Sequence, residues 1–214
     1  MRRKERVAQD TILINPSRRA ASPRASPEVS VAQAGSLRNL LLDGGELMSH
    51  IEHKERAPKA VTCAVITISD SRTVETDTSG QLIKERLARH GHTIKHYRII
   101  KDEPDQLRAL LSSLAADEEC QAIILNGGTG ISRRDQTVDV LDQMLEKRLP
   151  GFGEIFRFLS YQEIGSAAIL SRAVAGVYKG TVVISIPGSP AAAKLAMDRL
   201  ILPELAHMVS EVNR

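Results

Sequence analysis

The sequence contains no tryptophan, and its three phenylalanines and three tyrosines make up only 3% of 214 residues. Proteins that bind single-stranded nucleic acid stack bases on aromatic side chains, so this scarcity argues against such a platform. Long apolar runs are also missing, because none approaches the roughly 18 residues of a membrane-spanning helix. We therefore expect neither nucleic acid nor a membrane as a partner.

Most of the chain has no excess of positive or negative charge. The net charge is +3, but the first 47 residues hold 8 Lys+Arg against 5 Asp+Glu, which accounts for all of it. The remaining residues are therefore neutral in sum. This balance argues against a basic nucleic-acid surface on the folded part of the chain.

Cysteine is scarce: Cys63 and Cys120 are the two present, and they form no CxxC pattern. Each lies in or beside an apolar run, which predicts buried thiols in a reducing compartment, the cytoplasm, with neither a disulfide nor a zinc site. The histidines His90, His92 and His96 straddle a helix end and a strand start. We interpret them as part of a solvated turn and not as metal ligands.

Residues 1–57 hold little that could build a core, and "NPSRRAASPRASPE" is typical of a disordered extension. Its Arg and Ser content also resembles a transit peptide, but acidic residues and the lack of an amphipathic helix argue against one. Met48 reads as an alternative start, since Gly-Gly-Glu codons just upstream can spell a purine-rich ribosome-binding sequence. A real disordered tail stays equally open. The folded domain is assigned to residues 58–214.

From residue 61 onward, β-branched runs alternate with helical periodicities. The predicted strands are "VTCAVITIS" (61–69), "IKHYRII" (94–100), "AIILN" (122–126), "SRAVAGVY" and "TVVISIP", the last two joined as a hairpin at Lys179-Gly180. Helical spacing of leucine, isoleucine and valine separates them. This alternation predicts an α/β fold: a three-layer α/β/α sandwich with a mostly parallel, mixed central sheet.

Single residues and short motifs predict the start of one helix, the end of a second and the buried face of a third. We expect Thr137 to cap one helix and Pro203 to break another. All three phenylalanines, Phe152, Phe156 and Phe158, fall in "GFGEIFRFL", which is interpreted as a core-facing helix. A contact with a neighbouring subunit is the alternative.

Four polar segments follow predicted strands: "SDSR" (69–72), "KDE" (101–103), "NGGTGISRRD" (126–135) and "PGSP" (187–190). In an open α/β sheet, ligands gather beyond the carboxyl ends of the strands. Three glycines within four positions indicate a backbone kept bare so that something can approach it closely. The amides of Gly127, Gly128 and Gly130 can form an anion-binding concavity.

Two aspartates lie in these segments, although the site otherwise suits anions. Asp102 and Asp135 among phosphates are most easily explained by a Mg²⁺ ion between them. Each could instead be an N-cap of the helix that follows it. No standard motif applies: a Walker loop would need Gly-Lys where Ser132-Arg133 stands, and the dinucleotide fingerprint would need a glycine at Arg133.

The segments "TISDSR", "DTSGQ", "NGGTGISRRDQT", "PGFGEIFR", "SYQEIGSAAILSRAVAGV" and "PGSP" together resemble the MoaB/Mog family of molybdenum cofactor biosynthesis proteins. The resemblance spans essentially residues 58–214 and is closer to the MoaB branch. Members of this family bind molybdopterin. The active members use Mg-ATP to adenylate its terminal phosphate and release pyrophosphate.

The resemblance implies that Asp102 and Asp135 are the essential acidic pair and hold Mg²⁺. The molybdopterin contacts that it implies are Ser69, Asp70, Asn126, Gly127, Gly128, Thr129, Gly130, Gly188 and Ser189. Contacts to phosphate or ATP are expected from Arg134, Gly128 and Pro187. Positioning and charge neutralisation would supply most of such a mechanism.

Two hypotheses follow: a molybdopterin adenylyltransferase with ATP and molybdopterin as substrates, or a non-catalytic molybdopterin-binding or scaffold protein. The retained Arg134-Asp135 pair favours the enzyme, although Gln136 and Val138-Asp139 depart from the more usual "RDxTPEA" form. The resemblance also implies a homotrimer or hexamer that works with other molybdenum cofactor biosynthesis proteins.

Overall fold

The computed structural model describes residues 58–214, and the expectations for residues 1–57, including a start at Met48, lie outside that range. The strands are β1 (Thr62–Ile68), β2 (Thr93–Ile100), β3 (Ala122–Asn126), β4 (Lys147–Arg148), β5 (Val174–Tyr178) and β6 (Thr181–Ile186). The α-helices are α1 (Thr78–Arg89), α2 (Pro104–Ala115), α3 (Thr137–Met144), α4 (Pro150–Ile164), α5 (Pro190–Ala196) and α6 (Leu202–Val212). A 3₁₀ helix (Gly165–Leu170) follows α4, and a π-helical segment (Met197–Ile201) joins α5 to α6.

The six strands form one sheet in the order β2-β1-β3-β6-β5-β4. The pairs β1–β2, β1–β3 and β3–β6 are parallel, whereas β5 pairs antiparallel with both β6 and β4. The predicted mostly parallel sheet with an antiparallel hairpin is therefore confirmed. Because β1, β2, β3 and β6 run the same way, their carboxyl ends meet at one edge.

Alternate residues of each central strand enter two separate cores, one on each side of the sheet. Cys63 and Val65 of β1 pack with α1, α4, α5 and α6, while Ala64 and Ile66 pack with α2 and α3. Both faces of the strands are apolar, as expected for parallel strands covered by helices. The three-layer α/β/α prediction is confirmed. No helix in the described range is long and apolar enough to cross a membrane.

Two helix boundaries differ from the expectations. Thr137 is the first residue of α3 and not its cap; Gln136 occupies the N-cap position without a side-chain bond to the helix. Pro203 does not break the last helix, because it lies in the first turn of α6, directly after the π-helical segment. A proline in a first turn loses no intrahelical hydrogen bond, so the chain stays helical through it.

Helix α4 presents aromatic side chains both to the core and to solvent. Phe156 is buried and stacks with the half-buried Phe152, the ring centroids being 6.5 Å apart. Phe158 is 62% exposed, so the core-facing interpretation is confirmed for the first two phenylalanines and wrong for the third. The large exposed apolar side chains of α4 and the 3₁₀ helix, here called the apolar face, are Ile155, Phe158, Tyr161, Ile164, Ile169 and Leu170.

The cysteines are buried free thiols, as predicted, and burial raises their pKa values, to about 12 for Cys63 and about 11 for Cys120. His92 contradicts the solvated-turn interpretation, because it is buried and its Nδ1 accepts a hydrogen bond from the Val61 amide at 3.1 Å. That bond ties the turn before β2 to the start of β1. Residues 58–214 contain no group of three or more His, Cys, Asp or Glu that could hold a metal.

Candidate functional site

The four polar segments come together at the carboxyl edge of the parallel strands, as predicted. The Ser69 amide donates a hydrogen bond to the Ile100 carbonyl at 2.9 Å, which joins the segments after β1 and β2. The Gly127 amide donates to the Ile186 carbonyl at 3.0 Å, which joins those after β3 and β6. The edge is therefore built of backbone contacts between strand ends that lie far apart in sequence.

The glycine loop is packed so tightly against its neighbours that side chains would not fit. Gly127 and Gly128 have φ values of +110° and +64°, in the region that favours glycine. A Cβ on Gly127 would clash with the Ile68 carbonyl oxygen, and one on Gly128 would lie 2.5 Å from the Asp102 carboxylate. The groups that approach these two glycines thus come from the end of β1, the segment after β2 and the start of α3, and the loop brings its backbone beside Asp102.

Asp102 is buried, with 8% of its surface exposed, and its carboxylate contacts the first residues of α3. It accepts hydrogen bonds from the Gln136 amide at 3.3 Å and the Thr137 hydroxyl at 3.4 Å. The N-cap of its own following helix is Glu103, so the interpretation of Asp102 as that cap is wrong. Burial raises the pKa of Asp102 and the charge of Asp135 raises it further, against the lowering effect of the two hydrogen bonds.

Asp135 shapes the loop that precedes α3. Its carboxylate accepts hydrogen bonds from the amide of Ser132, at 3.0 Å, and from the hydroxyl of the same serine. Because Gln136 holds the N-cap position, Asp135 is not the cap of α3 either. A Cβ on Gly130 would lie 2.7 Å from the Asp135 carboxylate, so the third glycine leaves room for this side chain.

The two aspartates form a pair of anionic oxygen donors beside bare backbone. Mg²⁺ in nucleotide sites is usually held by one or two carboxylates, and substrate phosphates and water complete its octahedron. Asp102 carries a carboxylate whose charged form is disfavoured by burial and by Asp135, so a cation there would relieve a repulsion already present. The donor set therefore fits Mg²⁺ that arrives with a nucleotide.

Arg134 links the segments after β1, β2 and β3. Its guanidinium donates to both oxygens of Asp70, at 2.8 and 2.9 Å, and lies 2.7 Å from the Glu103 carboxylate. The hydrogen bond from Arg134 holds the pKa of Asp70 below its ordinary value. Half of the Arg134 side chain is exposed, so an incoming phosphate can compete with these carboxylates for the same donors.

Asn126 points away from the surface, in contrast to the expected molybdopterin contact. It is fully buried; its amide donates to the Thr67 hydroxyl at 2.8 Å, and its carbonyl oxygen accepts from Ser79 at 2.8 Å. Asp77 extends this network, since its carboxylate accepts from Thr67 and from the Tyr97 hydroxyl. The Asn126 side chain therefore anchors the end of β3 beneath the loop.

A cavity of about 310 Å³ opens beside the glycine loop. The predicted residues among its lining are Thr129, Gly130, Pro187, Gly188 and Ser189. The opposite wall comes from α4 and the 3₁₀ helix and includes Phe156, Ser160, Ile164 and Leu170. Sequence reasoning assigned no site role to this wall, although "SYQEIGSAAILSRAVAGV" is one of the segments that carry the family resemblance.

A larger cavity, of about 480 Å³, lies at the opposite end of β6 and contains none of the strand-end residues. Its lining includes Leu149, Val177, Val182 and Met208. The smaller cavity is the better candidate for the site, because it borders the glycine loop, whereas Asp135 lines a separate opening with Ser132 and Arg172.

The sequence matches a family described as a probable molybdopterin binding domain over residues 64–207. Molybdenum cofactor biosynthesis protein B of Bacillus subtilis (strain 168) is 55% identical over 168 residues, which cover 78% of this chain and 99% of the relative. A crystal structure of a molybdenum cofactor biosynthesis protein B superposes with a TM-score of 0.72 at 47% identity, covering 74% of this chain and 99% of the other. The tungsten cofactor synthesizing protein MoaB from Pyrococcus furiosus gives 0.67 at 35% identity, covering 74% of this chain and all of that one. With a family match over most of its length and relatives this similar, the chain belongs to the MoaB/Mog family of molybdenum cofactor biosynthesis proteins.

Proposed function

We propose that the chain is a molybdopterin adenylyltransferase of molybdenum cofactor biosynthesis. In this reaction an oxygen of the terminal phosphate of molybdopterin attacks the α-phosphorus of ATP. The bond to the β-phosphate breaks and pyrophosphate leaves. The observation that carries the proposal is the buried Asp102, which lies beside Gly128 of the glycine loop and accepts from the amide of Gln136, the residue after Asp135.

Molybdopterin would bind in the cavity beside the glycine loop. The apolar wall around Phe156 suits the flat pterin ring, and the amides of Gly128 and Gly130 suit its phosphate. Gly188 and Ser189 stand at the start of α5, where the helix dipole favours an anion. Ser69 and Asp70 line the neighbouring segment after β1. This arrangement would hold the attacking phosphate at the glycine loop, whose Gly128 lies beside the Asp102 carboxylate.

Asp102 and Asp135 would hold the Mg²⁺ ion of Mg-ATP, which supplies charge neutralisation at the phosphate oxygens when bound. Asp102 must be ionised for this role, and its raised pKa means that binding strengthens as the pH rises. Arg134 would leave Asp70 or Glu103 to contact a phosphate of ATP. Phosphoryl transfer needs little covalent chemistry from the protein, so these residues contribute position and charge.

The test is to incubate the protein with ATP, Mg²⁺ and molybdopterin and to measure both products. Adenylylated molybdopterin and pyrophosphate should appear in equal amounts, and removal of Mg²⁺ with a chelator should stop both. If molybdopterin binds but neither product exceeds the level without protein, the chain is not an adenylyltransferase.

The second candidate is a non-catalytic molybdopterin-binding or scaffold protein of the same pathway. Two observations favour it: Arg134 is engaged by two carboxylates, and Val138-Asp139 departs from the usual motif. The same incubation separates the two functions, because a scaffold would retain molybdopterin and leave ATP intact.

We further propose that the protein forms a homotrimer or hexamer and acts in the cytoplasm with other molybdenum cofactor biosynthesis proteins. The apolar face on α4 and the 3₁₀ helix supports the oligomer, since it gathers six large apolar side chains at the surface of a small domain. Closed symmetric assembly is the usual way in which a self-complementary face is buried.

A further inference from the structure

Arg172 lies between the 3₁₀ helix and β5 and reaches across to the glycine loop. Its Nε donates a hydrogen bond to the Gly130 carbonyl at 2.9 Å, and its Nη2 donates to the Asp135 carbonyl at 2.8 Å. Its Nη1 donates to both oxygens of Asp139, at 3.0 and 3.1 Å. All three nitrogens of the guanidinium thus donate hydrogen bonds, two of them to backbone carbonyls of the candidate site.

The two carbonyls mark the ends of the loop segment 130–135. This segment carries the turn closed by Ser132 and Asp135, and most of its residues are exposed. A guanidinium is planar and rigid, so its donors fix the separation of the groups that they contact. The distance from the glycine loop to Asp135 is therefore set by Arg172 as well as by the segment itself.

Asp139 holds the guanidinium in place from the first turn of α3. It stands at the position of the glutamate in the usual "RDxTPEA" form, so the acidic character is kept with a shorter side chain. The contact with Arg172 explains why an acidic residue stands at position 139, because its carboxylate orients Arg172 toward the two carbonyls.

We propose that Arg172, oriented by Asp139, is a positioning residue of the site: it holds segment 130–135 so that Asp135 keeps its place directly before Gln136, whose amide donates to Asp102. Arg172 contacts backbone and not the reacting groups, so it acts through Asp135. The kinetic part of this inference rests on the proposed adenylyl transfer, whereas the structural part does not.

The structural test is hydrogen exchange of the amides in segment 130–135. In Arg172→Ala these amides should exchange about tenfold faster or more, because the segment loses both carbonyl contacts. Arg172→Lys keeps the charge near Asp139 but lacks the planar set of N–H donors of a guanidinium, so its amide exchange rates should resemble those of Arg172→Ala. The control is Arg148→Ala, which removes another Arg–Asp pair, with Asp142, away from the site and should leave these amides unchanged. Wild-type exchange in Arg172→Ala, or full rescue by lysine, overturns the proposal.

The kinetic test is a double-mutant cycle on adenylation with Arg172→Ala and Asp135→Asn. Arg172→Ala alone should slow the reaction by about 10- to 100-fold, the effect of a displacement near 1 Å. In the Asp135→Asn background it should cost no more than about threefold, because the group that it positions has been removed. Fully multiplicative losses contradict the proposal. If the wild type forms no product while the loop amides still respond, the adenylation proposal fails and the positioning role stands.

Discussion

Replacing Asp102 with asparagine should raise the stability of the fold and lower the adenylation activity. The buried carboxylate has a raised pKa, so the folded protein binds its proton more tightly than the unfolded chain does. A group of this kind costs stability as the pH rises from the unfolded pKa, about 3.9, through the folded one. At pH 8 the ionised Asp102 therefore opposes folding, and Asp102→Asn removes that opposition.

The magnitude follows from the contacts. Asparagine keeps one oxygen that can accept from the Gln136 amide or the Thr137 hydroxyl, and both bonds are long, at 3.3 and 3.4 Å, so their loss costs little. Removing the buried charge also removes its repulsion with Asp135, and about 1 kcal/mol is the typical size of the effect of a single substitution on stability. For a domain of this size, about 1 kcal/mol corresponds to a rise in Tm of roughly 2–4 °C. Adenylation should meanwhile fall by at least about a hundredfold, since a metal-directed charge is lost.

The assay is thermal unfolding of Asp102→Asn and the wild type at a series of pH values from 4 to 8, with adenylation measured on the same samples at pH 8. The gain in Tm should be larger at pH 8. Asp117→Asn is the control of opposite sign, because His96 and then Lys95 lower the pKa of Asp117 to about 2. Its carboxylate stabilises the fold at neutral pH, and that contribution is lost as the pH falls through the lowered pKa. A drop of several degrees at pH 8 in Asp102→Asn, or retained activity, would refute the reasoning.

Three further predictions concern the interior and the surface. Asp77→Asn should lower the free energy of unfolding by about 2–3 kcal/mol, because one carboxylate oxygen accepts from Thr67 and Tyr97 and the other from Ser79 and the Gly80 amide, whereas an amide group can accept on one side only; an unchanged chemical denaturation midpoint would contradict this. Cys63 and Cys120, whose pKa values burial raises to about 12 and 11, should resist iodoacetamide at pH 8 until the protein is unfolded, as mass spectrometry can show. Phe158→Ser should weaken the proposed trimer or hexamer in light scattering without lowering Tm at high protein concentration; a monomeric wild type at micromolar concentration would rule out this interface.

The fold was predictable because its signals are local. In runs such as "AIILN" and in the leucine spacing of α2, neighbouring residues alone show which positions are buried. The convergence of the strand ends then follows from parallel strand direction, and this is why the glycine loop and both aspartates could be located together.

The partners of the site residues were not predictable, because they come from distant segments. Asn126 is adjacent to the glycines in sequence, yet Thr67 and Ser79 hold its side chain below them. Asp102 accepts a hydrogen bond from the hydroxyl of Thr137, the first residue of a helix 35 residues further along the chain. Nothing in the residues next to Arg172 indicates that it reaches the Gly130 carbonyl. Such contacts depend on the packing of α3 and the 3₁₀ helix against the sheet edge, which no short stretch of sequence encodes.

The most direct test of the account is a paired measurement on Asp135→Asn: product formation with Mg-ATP, and molybdopterin binding without ATP. Asparagine can still accept from Ser132, so the turn and the Tm should be kept. We expect adenylation to fall by at least about a hundredfold while molybdopterin affinity changes by less than about threefold, because the glycine loop and its cavity would make the contacts with molybdopterin. If activity and affinity fall together with Tm, Asp135 is a structural residue; if neither activity nor affinity changes, the carboxylate pair is not where the chemistry occurs.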